Sequence, residues 1–176
     1  MPHTIIPRPP ADEFLSYYGK YISRVEGDDA LAALIHQIDD TARLLHGLDE
    51  ARAMHRYAPG KWSVKQVVGH LCDGERVFAY RALRFARADR TPLPGFDETL
   101  WVPEGNFDAR PIDDLELEYR AVRSASIALF ASLAPEALAR IGVANDTPMS
   151  VRALAWTIAG HELHHRGLLI ERYGLG

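Results

Sequence analysis

In 176 residues the chain carries one cysteine, Cys72. A lone thiol excludes an internal disulfide and a thiolate cluster, so a bound metal must take nitrogen and oxygen ligands. An excess of positive charge is also missing: 20 Lys and Arg against 24 Asp and Glu leave a formal net charge of -4. That balance lacks the basic surface that neutralises a phosphate backbone, and nucleic acid is not an expected partner. No run approaches the roughly 20 apolar residues of a membrane span, so a membrane is not expected either. "MPHTIIPRPPADEF" lacks the basic start and apolar stretch of a secretory signal, which predicts a cytoplasmic protein. Strand-like alternation, internal repeats and low-complexity tracts are absent as well.

What is present is helical periodicity. With 47% hydrophobic and 25% charged residues, the chain can build one well-packed core, which predicts a single domain over 1–176 with 1–27 as an N-terminal arm packing on it. The first helical pattern runs from about Asp28 to Leu48, with Leu31, Leu34, Ile35, Ile38 and Leu45 at three- and four-residue intervals. "GKWSVKQVVGHL" announces the second: Ser63 can cap it and Gln66 can complete a capping box. Its stripe continues through Val67, Leu71, Phe78, Ala82 and Phe85. A third pattern spans about Ile112 to Leu133. The fourth is expected from Pro148, with Thr147 as cap, to about Arg172. Between helices two and three, "DRTPLPGFDETLWVPEGNFDARP" holds four prolines and two glycines. So long an irregular connection tends to lie over a functional site. The economical reading is an all-α four-helix bundle.

"GHELHHRG" places histidines where the fourth helix should be apolar. The seam reads Val151, Leu154, Ile158, His161, His165, Leu168. A lone histidine on an apolar face is more often a hydrogen-bonded core residue than a ligand. A pair four residues apart shifts that balance, because two imidazoles on successive turns can converge on one ion. His70, on the same side of helix two as Val67 and Gly74, can add a third. Three imidazoles with an open position suit a divalent transition metal such as zinc or nickel.

The spacing His161-Glu162-x-x-His165 also matches the zinc-protease motif, with Glu162 as general base and Glu171 as third ligand. Gly167 falls one position early for the required turn, and no sheet is expected, which disfavours this reading.

"GKWSVKQVVGHLCDGERVFAYRALRFAR", "TPLPGFDE" and "AGHELHHRGLL" together resemble the DinB/YfiT-like family, over about Phe14 to Tyr173. The resemblance implies an up-down-down-up bundle, often dimeric, with a divalent metal held by three histidines, here His70, His161 and His165. It further implies an enzyme acting on a small-molecule substrate, as a thiol S-transferase using a low-molecular-weight thiol or as a metal-dependent hydrolase activating water. A non-catalytic metal-binding stress-response protein is the alternative from another class.

The remaining polar residues divide less sharply. His164 flanks the seam as an edge histidine or an alternative ligand. Glu75 lies on the apolar stripe, either in a buried ion pair with Arg81 or Arg84 or orienting a ligand imidazole. Asp73 is an acceptor beside His70 or a solvated carboxylate, and Cys72 a small buried apolar group. Arg81, Arg84, Arg87 and Arg90 form a basic run that is ordinarily solvated; turned inward, it can bind a carboxylate of a thiol cofactor.

Overall fold

The structure is a computed structural model that describes residues 5–176; the first four residues of the expected arm lie outside it. Eight helices and one hairpin follow in the order α1 (Ser16–Ile22), α2 (Ala30–Leu45), α3 (Glu50–Ala53), α4 (Val64–Ala86), α5 (Glu98–Glu104), α6 (Ile112–Ala131), α7 (Pro135–Leu138), β1 (Ile141–Ala144), β2 (Thr147–Ser150) and α8 (Val151–Glu171). Helices α2, α4, α6 and α8 are the four long ones. None of the described helices is long and apolar enough to cross a membrane.

The starts of these helices are set by side-chain caps. Asp29 accepts from Leu31 N at the head of α2, and the capping box of Ser63 and Gln66 is complete at α4. These contacts satisfy backbone N–H groups that have no partner inside the helix.

Side-chain pairs give the helix directions. Gln37 and Thr41 of α2 meet Ala159 and Glu162 of α8, so these two run parallel. Trp62, just before α4, accepts from Tyr173 beyond the end of α8, and His70 meets His161 and His165, so α4 opposes α8. Arg76 and Glu75 of α4 pair with Glu118 and Arg123 of α6. Leu34 of α2 lies against Arg123 while Asp39 lies against Arg120, so α6 opposes α2. The result is up, down, down, up, and the bundle follows the expected fold class.

Three expectations are corrected. The fourth helix does not begin at Pro148 under a Thr147 cap: both residues belong to β2, and Ser150 caps α8 through Ala153 N. The absence of strands was also misjudged. β1 pairs antiparallel with β2, Ala144 opposite Thr147, around Asn145 and Asp146, whose φ values are 50° and 55°. Positive φ at both turn residues is the mark of a type I′ hairpin, which Asn and Asp tolerate. Finally, the long connection between the second and third long helices is not irregular throughout, since α5 lies within it, and the arm packs on the bundle with α1. Trp156 Nε1 donates to the carbonyls of Ile6 and Pro7, each at 3.0 Å, and α1 packs on α8.

That packing depends on Gly160. A Cβ there would sit 2.0 Å from the Tyr21 carbonyl oxygen, so any side chain would push α1 away. The long connection is pinned as well: Leu93 exchanges backbone hydrogen bonds with Val143 and Asn145 at 3.0 Å each, which fixes Gly95, Phe96 and α5 beside the bundle.

The core divides into two apolar halves. Leu31, Leu34, Phe78, Phe85, Phe130, Leu154, Trp156 and Ile158 fill one end; Leu45, Val67, Val68, Leu115, Tyr119 and Leu169 fill the other. Between them each long helix turns a polar side chain inward: Gln37 and Thr41, His70 and Glu75, Arg123, then His161, Glu162 and His165. All are buried.

Candidate metal centre

His161 and His165 stand on successive turns of α8, and His70 faces them from α4. The His161 Nε2 atom lies 3.1 Å from Nε2 of His70 and 3.1 Å from Nε2 of His165. One ring nitrogen from each of the three lies within 4.8 Å of the others. Their exposures are 6%, 7% and 8%. Gly74 leaves room for the His161 ring, since a Cβ there would lie 3.3 Å from His161 Cε1. Trp62 backs His70 with ring centroids 4.9 Å apart, and Tyr21 meets His161 edge-on at 5.4 Å.

Burial pushes all three imidazoles down: His70 to about 4, His161 and His165 well below their ordinary value. They are neutral at physiological pH. Each neutral Nε2 offers either one N–H or one lone pair. His161 Nε2 therefore cannot make a full hydrogen bond to both neighbours. In addition, His165 Nδ1 is buried without any partner, a loss worth on the order of 1–3 kcal/mol. A cation resolves the first conflict by taking all three lone pairs at once. Ligand nitrogens at about 2.0–2.1 Å from a tetrahedral zinc stand roughly 3.3 Å apart, close to the observed spacing. The donor set and its geometry thus fit a divalent transition metal.

The trio opens onto a cavity of ≈ 530 Å³. Tyr17, Tyr18 and Tyr21 of α1, Trp62, Phe78 and Arg81 of the α4 segment, and Gly95, Phe96 and Glu98 of the long connection form its walls. The connection does lie over the site. Lys20 beside Tyr17 lowers the pKa of its phenol against an opposing effect of burial, with Tyr21 adding less, whereas burial raises those of Tyr18 and Tyr21.

Other candidate residues go elsewhere. Glu75 does not pair with Arg81 or Arg84, nor does it orient an imidazole. Arg123 Nε and Nη2 grip it at 2.9 Å each, because α6, not the end of α4, faces it across the bundle. Glu162 is no free base: its Oε2 lies 2.5 Å from Arg123 Nη2 and its Oε1 accepts from Thr41 at 2.5 Å. Asp73 faces Arg76 and a neighbouring cavity. His164 lines the main cavity beside Tyr21 without joining the trio. Glu171 is exposed, and Cys72 is buried with its thiol pushed up by burial. Apolar periodicity could not reveal the α1 tyrosines, because they reach the site from outside the four-helix pattern.

Comparison with known proteins agrees with this architecture. The solved structure of YfiT from Bacillus subtilis, described as a probable metal-dependent hydrolase with an unusual four-helix bundle topology, aligns with a TM-score of 0.69 at 18% identity, covering 96% of this chain and 94% of that one. A relative from Oceanobacillus iheyensis, named "putative metal-dependent hydrolase", is 26% identical over 125 residues, 69% of this chain and 70% of the relative. The sequence profile of the DinB superfamily matches residues 33–169, and with that match the chain belongs to the DinB superfamily.

Proposed function

We propose that His70, His161 and His165 hold one divalent transition metal, zinc or nickel, and that the protein is a metal-dependent enzyme transferring a low-molecular-weight thiol to a small substrate. The observation that carries this reading is the facing of three neutral Nε2 atoms at the floor of an open cavity, an arrangement their own protons cannot satisfy. Such an ion supplies Lewis acidity that favours the thiolate form of a thiol at its open position. The chain does the rest. Trp62, Phe78 and Tyr21 set aromatic faces around the histidines, and the wall of Tyr17, Tyr18 and Phe96 holds the substrate body. With Glu162 locked by Arg123, the proton released on activation goes to a cavity group. Glu98 and His164 line the cavity as groups that can take it, and the Tyr17 hydroxyl can relay it.

The names of the two relatives support a second reading, in which water takes the place of the thiol and the reaction is hydrolysis. Cobalt-substituted protein separates the two. Bacillithiol, mycothiol or glutathione should produce a sulfur-to-cobalt charge-transfer band. Absence of the band with all three, together with turnover of ester or amide substrates, would replace transfer by hydrolysis.

A further inference from the structure

Arg81 is 5% exposed, yet among the described residues no carboxylate lies within ion-pair reach of it. Its guanidinium donates to the Pro94 carbonyl at 3.0 Å. Phe78 and Phe96 flank it with ring centroids 5.9 and 5.8 Å away. One of five N–H donors is thus engaged, by a neutral acceptor, and among the described residues the positive charge has no carboxylate partner. Arg123, at the centre of the bundle, shows what the fold supplies to a fully buried arginine: it has Glu75 and Glu162. A guanidinium held in a cavity wall without an anion of its own is placed to pair with a charge that arrives from outside.

Arg81 lines both the ≈ 530 Å³ cavity of the histidines and a second cavity of ≈ 400 Å³ walled by Val77, Leu93, Phe96 and Trp101, whose acidic residue, Asp73, faces Arg76. It lies seven residues beyond Gly74, which faces His161, so along α4 the two points stand about 10 Å apart. Glu98 is the acidic residue of the main cavity, and it is not paired with Arg81.

We propose that Arg81 is the anion-binding residue of this site, and that the substrate or thiol is a carboxylate whose acidic end sits on Arg81 roughly 10 Å from the atom held at the three histidines. A carboxylate fits better than a phosphate. A single guanidinium with its planar fork largely free matches one planar monoanion, and the other arginine of the second cavity, Arg76, is already taken by Glu118. This inference rests on the metal-site reading, and the test keeps the two apart.

Cobalt-substituted protein is titrated with 6-mercaptohexanoate and with 6-mercaptohexan-1-ol, following the charge-transfer band, and zinc-loaded protein with hexanoate by calorimetry. The acid should bind about 10- to 100-fold tighter than the alcohol. Arg81→Gln should erase that preference while leaving alcohol binding and cobalt content unchanged. Arg81→Lys, which keeps the charge but not the fork, should retain part of it and guards against a folding failure of the first variant. Equal binding of acid and alcohol by the parent overturns the role of Arg81 and leaves the metal reading standing. No band with either thiol, but hexanoate binding that disappears in Arg81→Gln, overturns thiol ligation and keeps Arg81. Neither signal overturns both.

Discussion

Two polar clusters share the middle layer of the bundle and touch neighbouring residues of one helix. Glu162 belongs to the first, His161 to the second. The first is closed: Arg123 meets Glu75 and Glu162, Thr41 caps Glu162, and Gln37 completes the arginine. Both carboxylates share one guanidinium within the chain, and burial pushes the Glu162 carboxyl up. The second is open: three neutral rings face one another with too few protons to share, one ring nitrogen is orphaned, and a cavity leads to them. Burial alone does not mark a functional group, since both clusters are equally deep. The missing partner does.

The largest effect should come from removing a histidine. His165→Ala should lower metal affinity by more than about 1000-fold, whereas His164→Ala should stay within about 100-fold of the parent, the range of a residue that only supports a ligand. Competition with a chromophoric chelator measures both, and the reverse ranking would move the site to the other face of α8.

In the closed cluster the effect should fall on stability instead. Arg123→Leu leaves two buried carboxylates unpaired and should cost about 3–5 kcal/mol in urea unfolding. The triple change with Glu75→Leu and Glu162→Leu should recover most of that loss. Metal affinity should change little beside the histidine variants. An equal loss of metal in both would show that the clusters are one unit.

Acid should destabilise the metal-free protein through the open cluster. Burial holds the three histidines below their ordinary pKa, His70 at about 4. The unfolded chain therefore binds more protons than the folded one below pH ~6.5, and stability falls as the pH drops from there toward 4. His70 alone accounts for on the order of 3 kcal/mol. Urea midpoints at pH 7.5, 5.5 and 4.5 measure the slope, and replacing the trio by Phe, Leu and Leu should flatten it.

The smallest effect concerns the wall of the open cluster. Gly160→Ala forces a Cβ against the Tyr21 backbone and should cost roughly 1–3 kcal/mol by overpacking. It should also displace Tyr17 and Tyr21 from the cavity, which quenching of tyrosine fluorescence by acrylamide would register.

The open cluster was more legible in the sequence than the closed one. His161 and His165 break the apolar seam of α8 in the rhythm of its own positions, and His70 follows Val67 by less than a turn. Glu75 broke a seam in the same way, but its partner is 48 residues distant on α6. Only the up-down-down-up arrangement decides that α6 faces it. Arg123 is four residues after Tyr119 on the buried face of α6, a signal that periodicity contained. The hairpin is hidden by its brevity, for "IGVANDTPMS" has the turn residues but only four residues on each side. Tyr17 and Tyr21 reach the cavity because Gly160 admits α1, a tertiary fact without local signature.

Metal analysis of protein purified without an affinity tag and reconstituted with zinc or nickel bears most directly on the open cluster. Close to one ion per chain, falling below about a tenth in His161→Ala while the helical signal is kept, is the result expected of three converging imidazoles. Less than a tenth of an equivalent in the parent, or full occupancy in the variant, would contradict it.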